Sequence, residues 1–176
     1  EDLSALDIVY GEGDSQEHVA KTLYLYKKGL SGNTTIYWSS SNEDIIKETG
    51  RIKRPGPDSS DETVTLTATI VHNTTGEAVT KEFTVNVVKM TIEDAVKDSA
   101  RDLDVNKAFT FAEKDTWEAI TTEFMLLDAG IHGTSITWSS NNPAVIDIVE
   151  EDGQTTGIVN RPSTGDVRVI LTATIT

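Results

Sequence analysis

Apolar and polar residues alternate most regularly between Thr63 and Ile70, where Val64, Leu66, Ala68 and Ile70 are interleaved with Thr63, Thr65, Thr67 and Thr69. A period of two places one set on the core face of a strand and the other toward water, and threonine suits the solvated side of a pleated surface. The same period predicts a strand over Lys81–Val88 with Phe83, Val85 and Val87 inward, and another over Thr35–Ser40 with Ile36 and Trp38 inward. Upstream, Ala5–Tyr10 and Val19–Tyr26 read as a hairpin closed at Gly11–Asp14, with Val19, Leu23 and Leu25 on the core face. Turns are expected at Thr49–Gly50 and Asn73–Gly76 and a loop over Pro55–Asp61, where Gly, Pro, Asn and Asp cluster. The period changes only at Thr91–Leu103, where acidic residues follow Thr91 and Ile92, Val96, Ala100 and Leu103 recur at helical spacing.

The pattern then starts again. Thr35-Ile36-Tyr37-Trp38-Ser39-Ser40-Ser41-Asn42 returns as Ser135-Ile136-Thr137-Trp138-Ser139-Ser140-Asn141-Asn142, Arg54-Pro55 as Arg161-Pro162, and Leu66-Thr67-Ala68-Thr69-Ile70 as Leu171-Thr172-Ala173-Thr174-Ile175. Phe109 and Phe111 match Ile8 and Tyr10, Ile120 matches Val19, and Phe124 and Leu126 match Leu23 and Leu25. Self-similarity at a fixed period signals tandem units, here of roughly 90 residues each. The fold class that follows is all-β: two tandem immunoglobulin-like β-sandwiches of about seven short strands, with a short helix leading into the second. The expected boundaries are 1–89 and 90–176, with the leading helix at 91–103, an acidic insertion around Glu150–Thr156 forming a longer exposed turn, and no final strand after Ile175. Trp38, Trp138, Leu66 and Leu171 are the expected structural core.

Composition narrows the function classes. The formal charge of −14 repels phosphate backbones and anionic lipid, so neither nucleic acid nor membrane insertion is expected. Absence of cysteine removes disulfides, thiol nucleophiles and thiolate metal sites, which fits a cytosolic chain and equally an exported one from a lineage sparing of cysteine. The sequence opens on Glu1 rather than Met and reads as a piece of a longer polypeptide.

Candidate chemistry is sparse. Asp102, Asp104, Asn106 and Glu113 have the oxygen-ligand spacing of a helix-loop-helix calcium site, but Lys107 stands where the sharp turn needs glycine, which favours a solvated helix end. Asp58, Asp61 and Glu62 form a second carboxylate group. Tyr24, Tyr26 and Trp117 are candidates for stacking on sugar rings, although Gln16 occupies the place of Trp117 in the first copy. His18, His72 and His132 are scattered, with no nucleophile or ligand partner at a telling spacing. No cofactor is expected, and a small sandwich offers no deep catalytic cleft. Asn33-Thr34-Thr35 and Asn73-Thr74-Thr75 match a glycosylation acceptor pattern.

The order Ile-Tyr/Thr-Trp-Ser-Ser, then Arg-Pro, then Leu-Thr-Ala-Thr-Ile, then Phe83-Thr84-Val85-Asn86-Val87 resembles the atrophied bacterial immunoglobulin-like domain across nearly the whole chain. The resemblance implies a non-catalytic spacer module of a multi-modular exported bacterial protein, a carbohydrate-active enzyme or a cell-surface protein, secreted or held at the cell surface. Its partners would be neighbouring domains of the same polypeptide, with possible polysaccharide or cell-wall contact. The alternative is a carbohydrate-binding module using its exposed aromatics. The family supplies no catalytic residues, and the first copy departs from it in showing no clear leading helix before Leu3.

Overall fold

The structure is a computed structural model describing residues 5–176. The expectation of no leading helix before Leu3 falls outside the described residues. The chain divides between Thr91 and Ile92 into two compact units.

The first unit contains one antiparallel sheet of β1 (Thr34–Ser40), β2 (Glu62–His72) and β3 (Ala78–Val87), in the order β1-β2-β3. Register pairs Trp38 with Ala68 and Leu66 with Phe83, so the alternating inward residues of all three strands share one face. That face carries Ile36, Trp38, Val64, Leu66, Ala68, Ile70, Val85 and Val87 into a core closed by Leu6, Ile8, Val19, Leu23, Leu25 and Ile46. The second layer is thinner than seven regular strands. Of the expected hairpin of Ala5–Tyr10 with Val19–Tyr26 there remain a single antiparallel bridge, Val9 to Tyr24, and a Gly11–Asp14 turn, while Val19 bridges in parallel to Val87 of β3. Burial supplies what the missing ladder does not, since Val19, Leu23 and Leu25 are all buried while Lys21 is exposed.

The second unit opens with α1 (Ile92–Asp102) and the single turn α2 (Val105–Ala108). A four-stranded antiparallel sheet follows, order β4-β5-β8-β7, from β4 (Phe109–Thr110), β5 (Phe124–Leu126), β7 (Ile146–Glu151) and β8 (Gln154–Val159). A short 3-10 turn (Ile131–Gly133) leads to β6 (Ile136–Ser140), which pairs only with β9 (Leu171–Ile175) among the described residues. Phe124, Leu126 and Ile146 from the first sheet meet Trp138 and Leu171 from the second, so the two sheets face each other across the core. The chain is thus built of immunoglobulin-like β-sandwiches, reduced in strand length.

Two local expectations are corrected. Residues 150–156 do not form a longer exposed turn but the tip of the β7–β8 hairpin, closed by Asp152 and Gly153 at φ 52° and 75°, with Glu151 opposite Gln154. An Asp-Gly pair in the left-handed region matches the twist of the flanking strands, and this signal was present in the sequence. The helix buries Ala95 and Ser99 rather than the stripe from Ile92 to Leu103, and Ile92 is 72% exposed. The Ser99 hydroxyl bridges to the Ile131 carbonyl at 2.8 Å and the Thr134 hydroxyl at 2.7 Å. Only small side chains permit an approach that close, which overrides the apolar periodicity.

Candidate functional site

The repeated motif explains itself as structure. In the first copy the Trp38 indole donates to the Tyr26 carbonyl at 2.8 Å, and in the second Trp138 donates to the matched Leu127 carbonyl at 2.9 Å. Each N–H finds a backbone carbonyl of its own unit as partner. The Ser-Ser-x-Asn tail is a turn built identically twice. Asn42 N–H donates to Ser40 Oγ and Asn142 N–H to Ser140 Oγ, both at 3.2 Å, and Ile46 and Ile146 N–H return to the carbonyls of Asn42 and Asn142 at 2.9 and 3.0 Å.

The surroundings of the two tryptophans are not equal. Trp38 is 8% exposed and meets Phe83 of β3 with ring centroids 5.6 Å apart. Trp138 and Leu171, expected as core, are only half-buried, although both pack against it. Trp138 takes its ring partner from the facing sheet, Phe109 at 5.5 Å, whereas Trp38 takes Phe83 from β3, the neighbour of β2. A stacked Phe109–Phe111 pair and Phe124 complete an aromatic cluster absent from the first copy.

A second duplicated device is built on an aspartate in each copy, and the motif reading missed it. Asp14 accepts the N–H groups of Ala20 and Lys21 at 2.9 and 2.7 Å. Its counterpart Asp115 accepts N–H and hydroxyl from both Thr121 and Thr122, at 2.7 to 2.9 Å. The Thr122 hydroxyl, then the Thr121 N–H and hydroxyl, hold the Asp115 carboxyl far below the usual carboxylate range. Both carboxylates tie a loop end to the chain six and seven residues on, a clamp whose donors are consumed internally. The available signal was an aspartate at the matching place in each copy.

The candidate cation ligands do not converge. Asp104 caps α2, accepting Asn106 N–H at 2.8 Å and Lys107 N–H at 3.2 Å, and Asp102 pairs with Lys107 Nζ at 2.7 Å. Lys107, which replaces the needed glycine, therefore neutralises the site it would have had to form. Asn106 and Glu113 are exposed, and no group of three or more His, Asp or Glu that could hold a metal exists among the described residues. Asp61 is used structurally, accepting Lys89 N–H at 2.9 Å.

The histidines also stay apart. His18 closes a turn with Ser15, His72 accepts Thr75 N–H at 3.2 Å, and His132 sits in the left-handed region 3.8 Å from Asp98. A recess of about 130 Å³ between α1 and the 3-10 turn is lined by Ser99, Leu103, Lys107, Leu127 and Ile131. Ligand pockets run to roughly 300–1,000 Å³, so it is too small for one.

The aromatic candidates are on the surface. Tyr24 and Tyr26 are 61% and 40% exposed, with rings 5.1 Å apart at 87°, and Trp117, on a turn between Thr116 and Ala119, is 60% exposed. The tyrosine pair lies in the first unit and Trp117 in the second. An edge-to-face pair offers one ring face rather than a flat platform.

A family model described as the atrophied bacterial Ig domain matches residues 1–90 and again 96–176. No curated protein matches the chain.

Proposed function

Because the chain belongs to the atrophied bacterial Ig domain family, we propose that it is a non-catalytic spacer of a multi-modular exported bacterial protein. The parent would be a carbohydrate-active enzyme or a cell-surface protein, secreted or surface-held, and the partners would be neighbouring domains of the same polypeptide. One observation supports this reading above the rest: what is duplicated is packing and turn chemistry, the indole-to-carbonyl bond at 2.8 and 2.9 Å and the Ser-Asn turn, with no duplicated reactive group. The two indole N–H groups and the Ser40 and Ser140 hydroxyl oxygens of these devices spend hydrogen bonds on the chain's own backbone. The test is affinity electrophoresis and calorimetry against a panel of cell-wall and plant polysaccharides. Absence of binding is expected, and a dissociation constant tighter than about 1 mM for any glycan would overturn the spacer reading.

The exposure of Trp117, Tyr24 and Tyr26 favours a second reading, a carbohydrate-binding module. On that reading glycan titration changes tryptophan fluorescence and Trp117→Ala removes the change. A flat titration with the intact protein discards it.

A further inference from the structure

We propose that the outer edge of β7, at Ile148 and Glu150, is a strand-acceptor site for an extended, basic peptide. Backbone geometry sets the edge. The Val145 carbonyl accepts Asn160 N–H at 2.8 Å, so alternation along the register turns the N–H and C=O groups of Asp147, Val149 and Glu151 toward β8 and those of Ile148 and Glu150 away from it. β7 is the end strand of its sheet and is hydrogen-bonded to β8 alone. β6, joined to it through the Asn142 turn, is in contact with it, yet no group among the described residues bonds the N–H or C=O of Ile148 or Glu150. The Ile146 N–H, which faces the same side, is taken by the Asn142 carbonyl at 3.0 Å, so the free run starts at Ile148.

The repeated fold does not require this run. In the first unit the chain turns at Lys47–Gly50, directly after Ile46, the counterpart of Ile146, and the hairpin there shrinks to one bridge between Ile46 and Ile52. In the second unit β7 continues to Glu151. Along it the side chains alternate: Asp147, Val149 and Glu151 stand on the outer face of the sheet, and Ile148 and Glu150 on the other, where Ile148 packs half-buried against the core.

Charge chooses among occupants. Asp147, Glu150, Glu151 and Asp152 lie on or beside the free run, and no Lys or Arg occurs from Gly133 to Asn160. None of these carboxylates is in an ion pair among the described residues. A second copy laid antiparallel on this edge would set Asp147 against Glu151 and Ile148 against Glu150, and like charges directly opposite are destabilising. Charge of this kind guards an edge strand against pairing with itself. The same charge favours a strand with basic residues opposite Asp147, Glu150 and Glu151 and apolar ones opposite Ile148 and Val149. Read antiparallel from the residue opposite Glu151, that pattern is basic-basic-apolar-apolar-basic. Main-chain bonds supply affinity and the side-chain pairing supplies specificity, as in β-strand addition generally.

The experiment titrates the intact chain with the synthetic peptide Thr-Lys-Lys-Val-Val-Lys-Thr, capped at both ends, and follows amide hydrogen exchange by NMR, with sedimentation velocity alongside. Exchange at Ile148 and Glu150 is expected to slow on peptide addition, and binding to weaken as salt is raised. Two control peptides are expected to give no protection: one with glutamate for each lysine, and one N-methylated at the second lysine and second valine, whose N–H groups would meet Glu150 and Ile148. Asp147→Asn combined with Glu151→Gln, both at exposed positions, should leave the melting temperature unchanged and weaken peptide binding about threefold to tenfold. No protection at millimolar peptide, equal protection by either control peptide, binding indifferent to salt, or unchanged affinity in the double variant each overturns the proposal. So does concentration-dependent self-association that protects the same amides without peptide, which would make a second copy the occupant.

Discussion

Truncating Trp38 tests the central packing claim directly. The indole is 8% exposed, contacts Phe83 at 5.6 Å between ring centroids, and satisfies its N–H on the Tyr26 carbonyl at 2.8 Å. Replacement by alanine removes a large buried side chain and leaves a cavity between two rigid layers, a change that costs about 3–5 kcal/mol. A unit of roughly 90 residues has only about 5–13 kcal/mol of stability, so the substitution removes a large share of it. Trp38→Phe keeps most of the packing but abandons the Tyr26 carbonyl, costing about 1–3 kcal/mol. Trp138→Ala, at a half-buried position, costs less than Trp38→Ala. Urea denaturation followed by circular dichroism reads this out, since with a slope of about 2 kcal/mol per molar a loss of ~4 kcal/mol lowers the midpoint by about 2 M. Fluorescence of Trp117 and Trp138, both in the second unit, reports that unit separately. A loss below ~1 kcal/mol for Trp38→Ala, or an equal loss for Trp38→Phe and Trp38→Ala, would refute the claim that packing around the indole holds the first sandwich together.

Other consequences follow from the same geometry. The Asp115 carboxyl titrates below the unfolded-state value of about 3.9, so its contribution is fully present above that pH and declines as pH falls through the folded-state value. The difference in melting temperature between the native chain and Asp115→Asn should therefore be constant from pH 7 to about pH 5 and shrink below about pH 4, and a gap that widens in acid would contradict the clamp. Ser99→Ala should cost about 0.5–1.5 kcal/mol by chemical denaturation, because Thr134 keeps its bond to Ile131 at 2.9 Å. Ser99→Val, which forces a branched side chain into the same close approach, should cost a further ~1–3 kcal/mol. Gly50 holds φ +83° and an added Cβ would fall against the Leu23 carbonyl oxygen, so Gly50→Ala meets both backbone strain and a backbone clash. It should lower stability by more than the ~1–2 kcal/mol of a left-handed alanine alone, and calorimetry showing less would mean that the loop gives way freely.

The strands were legible in the sequence where one face is buried and the other solvated, because a period of two is written into consecutive residues. The register of β1 on β2 and of β6 on β9, which the alternation alone did not give, keeps these inward rows of Ile, Trp, Leu and Ala on one face. The layer built from Ala5–Tyr26 was legible as a burial pattern but not as structure. Its Leu face is buried as the alternation required, while ladders reduce to bridges since few of its backbone groups meet a neighbour in register. The helix face was misread because amphipathic period assumes that large apolar residues seek the core, whereas the Ile131–Thr134 turn comes close enough to admit only Ala95 and Ser99. The candidate cation site failed for a related reason: ligand spacing fixes sequence separation, but Lys107 sits within reach of Asp102 and consumes it.

By itself the sequence determined that the chain is β-rich, that it is a duplication, and which residues of each strand turn inward, since all three depend on local alternation or on comparing the chain with itself. Only the tertiary structure decided which carboxylates clamp loops and how deeply each tryptophan is shielded. These outcomes depend on what lies beside a residue in space, and the strand that covers Trp38 comes from residues more than forty positions along the chain, at Phe83. A periodic pattern carries no record of such a neighbour.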